Sequence, residues 1–176
     1  HPLTYATSGE TVWALLGVSL IVLLGLPFLP QPAPVPVATV DADNCNGCRR
    51  CFDDCPYQAV TMVAHPTRPA RQLAQVNADL CASCGICAGA CPSATPFRGI
   101  ASLVSGIDMP TLTVDAMRRQ LREGLAGLAR GGPRIVLFGC RQGAAADRLA
   151  APDVLCLNLL CAGQLPPSFI EYALRD

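Results

Sequence analysis

Eight of the eleven cysteines fall between Cys45 and Cys91, in two runs of one pattern. The first is Cys45, Cys48, Cys51, Cys55 followed by Pro56; the second is Cys81, Cys84, Cys87, Cys91 followed by Pro92. Both read C-x2-C-x2-C-x3-C-P, and an odd cysteine count packed into such runs points to metal before disulfides. Structural zinc takes four ligands, typically two C-x2-C pairs, which leaves the third cysteine and the x3-C-P step without a purpose. Disulfides across C-x2-C are strained. An iron–sulfur cube accounts for every position. Three thiolates two residues apart can wrap one face of it, with the intervening amides aimed at its sulfurs. Small residues such as Gly47, Ala82 and Gly85 let the backbone approach closely. The fourth cysteine is expected to start a short helix after a tight turn, beside a proline that fixes the local backbone.

This spacing resembles that of the two-cluster bacterial ferredoxins. The resemblance runs over residues 41–98. It implies one [4Fe–4S] cluster on Cys45, Cys48, Cys51 and Cys91, and another on Cys81, Cys84, Cys87 and Cys55. Between the runs, residues 59–63 and 72–76 read as two short strands joined by a loop from His65 to Arg71. These imply a miniature β-α-β-β-α-β arrangement, with His65 expected as a solvated loop residue. All eight positions being cysteine, no open coordination site is left for substrate, and the chemistry is one-electron transfer. Phe52, Ile86 and Phe97 are expected to pack near the clusters and disfavour extra charge.

The elements around this module come next. Thr11 to Leu29 is nineteen residues without a charge, about 28 Å as a helix against a bilayer core of roughly 30 Å. With Trp13 near one end, residues 1–29 read as a transmembrane helix and its lead-in. No basic n-region or small-residue cleavage site marks a signal peptide. The chain opens on His1 rather than methionine, which suggests processing or a piece of a longer polypeptide. The run His1-Pro2-Leu3-Thr4-Tyr5 into an apolar helix resembles the helix entry after the haem domain of the cytochrome bc family. Residues 30–40 follow as a linker, whose alternating prolines favour extended polyproline II.

Residues 99–176 read as a small parallel α/β module. Residues 113–130 place Val114, Met117, Leu121, Leu125 and Leu128 on one helical face, with Arg118, Arg119, Arg122 and Glu123 on a solvated face. Strands follow at 134–138 and 154–160, with a helix from Gln142 to Leu149 between them and a last helix from Pro166-Pro167 to Leu174. Cys140 and Cys161 end the two strands, at the carboxyl edge where ligands collect in open α/β folds. The surroundings of Cys140 and the run Cys161-Ala-Gly-Gln-Leu-Pro-Pro167 resemble the methyl-viologen-reducing hydrogenase delta-subunit family. That resemblance implies a third, [2Fe–2S] site at Cys140 and Cys161. Two thiolates fall short of the four such a cluster takes. A docking domain and a redox-active thiol pair are therefore the other readings, with Cys156 simply buried.

The 13 basic and 13 acidic residues balance, and every base is arginine. Nucleic acid is not expected as a partner, and lysine chemistry is excluded. The fold class expected is α+β: an N-terminal transmembrane helix, a ferredoxin-like two-cluster module and a small C-terminal parallel α/β module. The function expected is a membrane-anchored electron-transfer subunit of a respiratory or photosynthetic complex, not a catalyst on its own. It would relay single electrons between a soluble or peripheral partner and a membrane b-type cytochrome or other integral redox subunit. The lipid bilayer would hold the anchor. Arg49-Arg50 and the needs of cluster assembly place the cluster domain on the cytoplasmic face, although the cytochrome-like entry argues for the opposite side. An adaptor subunit with structural clusters is the alternative.

Overall fold

The computed structural model describes residues 9–29, 35–144 and 146–175. The first helix, α1 (Gly9–Gly25), is 17 residues long and apolar all round. It ends at Gly25, and a 3-10 turn over Leu26–Phe28 follows, with a proline in its first positions. Seventeen residues rise about 26 Å, short of the roughly 30 Å bilayer core. Among the described residues no helix is long and apolar enough to cross a membrane. The expected transmembrane helix and the single-pass membrane placement are therefore corrected: the charge-free run extends past the end of the helix it forms. Residues 30–34 of the proline-rich linker and the His1–Tyr5 entry lie outside the described residues.

From Val35 onward the chain forms one compact unit. Its first half runs β1 (Thr39–Val40), α2 (Arg50–Asp53), β2 (Val60–Ala64), β3 (Gln72–Val76), α3 (Ile86–Ala90), β4 (Ile107–Asp108). The antiparallel hairpin β2–β3 pairs Val60 with Val76 and Ala64 with Gln72. The outer strands β1 and β4 also pair, Thr39 with Asp108, and so close the module from its two ends. His65 does not face solvent. It is buried, Thr67 N–H donates to its Nδ1 at 3.2 Å, and its Nε2–H donates to Ala42 O at 3.0 Å. An imidazole satisfied at both nitrogens can be buried at little cost, and here it pins the hairpin loop to the β1 end.

The second half runs α4 (Val114–Gly127), β5 (Ile135–Cys140), β6 (Val154–Leu159) and α5 (Pro167–Arg175). Thr113 caps α4, its hydroxyl accepting the Ala116 N–H at 3.1 Å. Val114, Met117, Leu121 and Leu125 bury one face of α4 against a core shared with Met109, Leu159 and Phe169. β5 and β6 are parallel, Cys140 opposite Leu159. In place of a helix from Gln142 there is a turn, closed by Gly143 N–H onto Cys140 O, and a 3-10 segment over Ala146–Leu149. Glycine at 143 is a poor helix former and serves that turn.

The arginine face of α4 also differs from expectation, because Arg118 is buried. Its guanidinium meets the Asp115 carboxylate at 2.9 Å and donates to the carbonyls of Arg98, Ile100 and Ala101. Asp115 also pairs with Arg119 and accepts the Leu103 N–H at 2.7 Å. Burial opposes its charge, but that amide and the two guanidinium groups outweigh it and hold the carboxyl below its ordinary range. A charge at a helical surface position is buried here because the loop before the helix, at residues 98–101, has bare carbonyls that need donors.

Candidate metal centre

The two cysteine runs fold alike. Each enters its helix through two left-handed residues, at Gly47 (φ 72°) and Arg49 (φ 70°) in the first and Ser83 (φ 54°) and Gly85 (φ 78°) in the second. Those are the third and fifth positions of each motif, so the same loop is made with the glycine in a different place. At Gly47 a Cβ would also sit 2.5 Å from Gln72 O. The third cysteines, Cys51 and Cys87, lie within α2 and α3. The fourth, Cys55 and Cys91, follow those helices instead of starting them. Each precedes a proline, which disfavours helical backbone, and each closes a turn onto Phe52 O or Ala88 O.

This geometry gathers the eight thiols into two quartets, and the motifs exchange their fourth members. Cys45, Cys48, Cys51 and Cys91 line one cavity, with Asn46, Arg49, Met62 and Ile107 also on its walls. Cys55, Cys81, Cys84 and Cys87 line the other, walled also by Tyr57, Val60, Ile86 and Met109. The cavities hold about 300 Å³ and about 330 Å³ of non-atom space. Among the described residues no three His, Cys, Asp or Glu side chains are close enough to share one metal ion. A tetrahedral zinc with Zn–S bonds of about 2.3 Å would need its thiolates about 3.8 Å apart. Four thiols spread over the walls of a cavity suit a multi-atom cluster instead, and the donor set is the one iron–sulfur clusters take.

All eleven cysteines are free thiols. Burial first, then the neighbouring thiolates Cys45, Cys91 and Cys48, push the Cys51 thiol up to about 11. Burial, then Cys84, Cys51 and Cys81, push Cys87 to about 12. Such thiols keep their protons until a cationic centre takes their place. The helices α2 and α3, which carry Cys51 and Cys87, are also in contact with each other. Each exchanged cysteine receives one hydrogen bond: Ala59 N–H donates to Cys55 Sγ at 3.4 Å, and Ser93 Oγ lies 3.0 Å from Cys91 Sγ. Ser93 Oγ also accepts the Gly106 N–H at 2.9 Å, and once Cys91 is a thiolate ligand its sulfur can only accept, so the Ser93 proton would be directed at it.

Of the three apolar residues expected around the clusters, Ile86 lines the second cavity. Phe52 instead lies under the Arg49 guanidinium at 5.0 Å, and Phe97 packs on Tyr172 and Arg175. Sequence reasoning passed over Tyr57 and Gln164. Gln164 is fully buried: its Nε2 donates to Leu112 O at 2.9 Å and its Oε1 accepts the Leu160 N–H at 3.0 Å. Its side chain fills the space beside Gly85, and its backbone lies against Gly89. The C-terminal half thereby sits on the second motif. The glycine at 89, where a Cβ would meet Gln164 O at 2.6 Å, was the signal available.

Cys140 and Cys161 do come together, on one open cleft of about 1050 Å³ that also reaches Cys84. Cys156 lies mid-strand, its thiol donating to Ala146 O at 3.1 Å. Cys84 belongs to the second quartet, so the cleft supplies two thiolates of its own, two short of a four-thiolate [2Fe–2S] site.

No curated protein and no solved structure matches the chain. Residues 44–95 match the model of a family described as a 4Fe-4S dicluster domain. That stretch holds both quartets and stops before the C-terminal half, so it lends nothing to the hydrogenase-like or cytochrome-like resemblances. The cysteine-rich region is thus similar to 4Fe-4S dicluster domains, and its chemistry is iron–sulfur electron transfer.

Proposed function

We propose that each quartet holds one [4Fe–4S] cluster and that the chain relays single electrons through the pair. It would stand between a peripheral one-electron donor or acceptor and a second redox subunit of the b-type cytochrome class. The observation that carries this reading is the sorting of eight thiols into two cavities, four to each, with the fourth cysteines exchanged. A bound cubane cluster stores and releases one electron at a time. The protein's part is to hold the cluster in place, shield it and tune it. Cys45, Cys48, Cys51 and Cys91 would fix one cluster, and Cys55, Cys81, Cys84 and Cys87 the other. The Ser93 hydroxyl and the Ala59 amide, directed at ligand sulfurs, favour added negative charge, whereas Val60, Ile86 and Met109 keep water from the second site.

Anaerobic reconstitution followed by iron and acid-labile sulfide analysis tests the proposal. Two four-iron clusters require about eight of each per chain. Dithionite should then reduce the clusters, and they should reoxidise when an acceptor is added. Stoichiometric zinc without sulfide would contradict the reading, and so would clusters that resist reduction.

A further inference from the structure

The cleft at the carboxyl edge of β5–β6 and the second quartet's cavity share a wall. Tyr57, Ala82 and Cys84 line both. Across the cleft stand the residues at the ends of the parallel strands, Cys140 closing β5 with Arg141 after it, and Leu160 and Cys161 after β6. This is the edge at which ligands bind in open parallel sheets. Here it faces a cluster ligand, so a bound molecule would reach that ligand without the protein having to open. The wall has a fixed shape: Ser83 donates to Pro36 O, and Gln164 fills the space behind Gly85.

Arg141 is the one charged residue among those lining the cleft. It is exposed, and its guanidinium has no hydrogen-bond or ion-pair partner among the described residues. A lone cation on the rim of a mostly apolar cleft selects for an opposite charge on whatever docks there. Shallow, open contacts of this kind suit transient redox encounters.

We propose that this cleft is the port through which the chain exchanges electrons with a one-electron carrier protein, whose acidic contact loop seats against Arg141. The proposal rests on the second quartet holding a cluster. The exchange is a single electron, with no bond made or broken: the second cluster loses one and the carrier gains one, or the reverse. Cys84 joins the port to that cluster, and Arg141 positions the carrier.

The test uses the reconstituted holoprotein and an acidic flavodoxin as the probe carrier. Cluster content is read first, by iron analysis and electron paramagnetic resonance of the reduced protein. Binding is then measured by calorimetry on the oxidised protein, independently of electron transfer, and flavodoxin reduction is followed by stopped flow. Arg141→Glu should weaken binding about tenfold and slow transfer by a similar factor, as expected for a reversed contact charge. Thr111→Trp, which fills the cleft from an exposed position, should do the same. Both variants should leave cluster content unchanged, and Arg141→Glu should speed rather than slow exchange with cationic methyl viologen, the opposite of its effect on flavodoxin. Raising salt from low to high ionic strength should close the gap between wild type and Arg141→Glu. If the clusters are absent, the functional reading falls and the port falls with it. If they are present but flavodoxin does not bind, or binds both variants as well as wild type, the port alone is overturned.

Discussion

The two quartets are built on one loop but stand in different surroundings. The first has Cys48 exposed, and Asn46 and Arg49 on its walls. The second is walled by Ala38, Val60, Val76 and Met109, and the turn carrying Gly163 and Gln164 packs against its helix. The ligand chemistry is identical, so any difference in potential must come from outside the motifs. Reduction adds negative charge. Exposure and a nearby guanidinium favour that at the first site, and apolar cover disfavours it at the second. The second cluster should therefore titrate at the more negative potential, resolved by electron paramagnetic resonance at controlled potentials.

Perturbations can be ranked by how far they break or sharpen this contrast. Asp115→Asn should have the largest effect on stability, about 3 kcal/mol, because it strands the buried Arg118 guanidinium. It touches neither cavity, so denaturation should shift while the gap between the two potentials stays. The pH dependence has a definite sign. Asp115 is held below its ordinary value of 3.8 in the folded chain. Its contribution is therefore complete above that value and is lost as the pH falls through the depressed one. Urea midpoints measured from neutral to acid pH should converge for wild type and Asp115→Asn.

Gly89→Ala should cost less, about 1–3 kcal/mol, by forcing a Cβ against the backbone of Gly163 and Gln164. Its redox effect should be one-sided. The cover on the second quartet loosens, water enters, and that potential rises toward the first. Ser93→Ala should have the smallest effect. It removes a hydrogen bond of about 1 kcal/mol from Cys91. At about 59 mV per tenfold for one electron, that lowers the first potential by about 40 mV. The second should not move, and a redox titration of the variant checks both.

The quartets were legible in the sequence because ligand spacing is a local property, set by the reach of a few residues. The partnering of β1 with β4 was not. Thr39 and Asp108 are far apart in the chain, and each strand is two residues long, too short for any period to show. His65 and Arg118 were read as solvated because their types usually are. Each is buried by partners from elsewhere: Ala42 O in one case, and the carbonyls of Arg98, Ile100 and Ala101 in the other. The membrane reading failed for a different reason. Nineteen charge-free residues measure composition, whereas a span depends on where the helix ends, and α1 ends at Gly25. Gln164 itself gave no sign, since a glutamine's burial depends on the backbone groups that come to meet it; only the glycine at 89 hinted that something packs closely there.

The exchange of the fourth cysteines is the central claim, and iron content in a double variant tests it directly. Cys48 and Cys91 come from different motifs but line one cavity. Cys48→Ser combined with Cys91→Ser should therefore empty one site and spare the other, leaving about four irons per chain of about eight. A chain stripped of nearly all its iron by the same pair of substitutions would mean that each motif holds its own cluster, and would contradict the account.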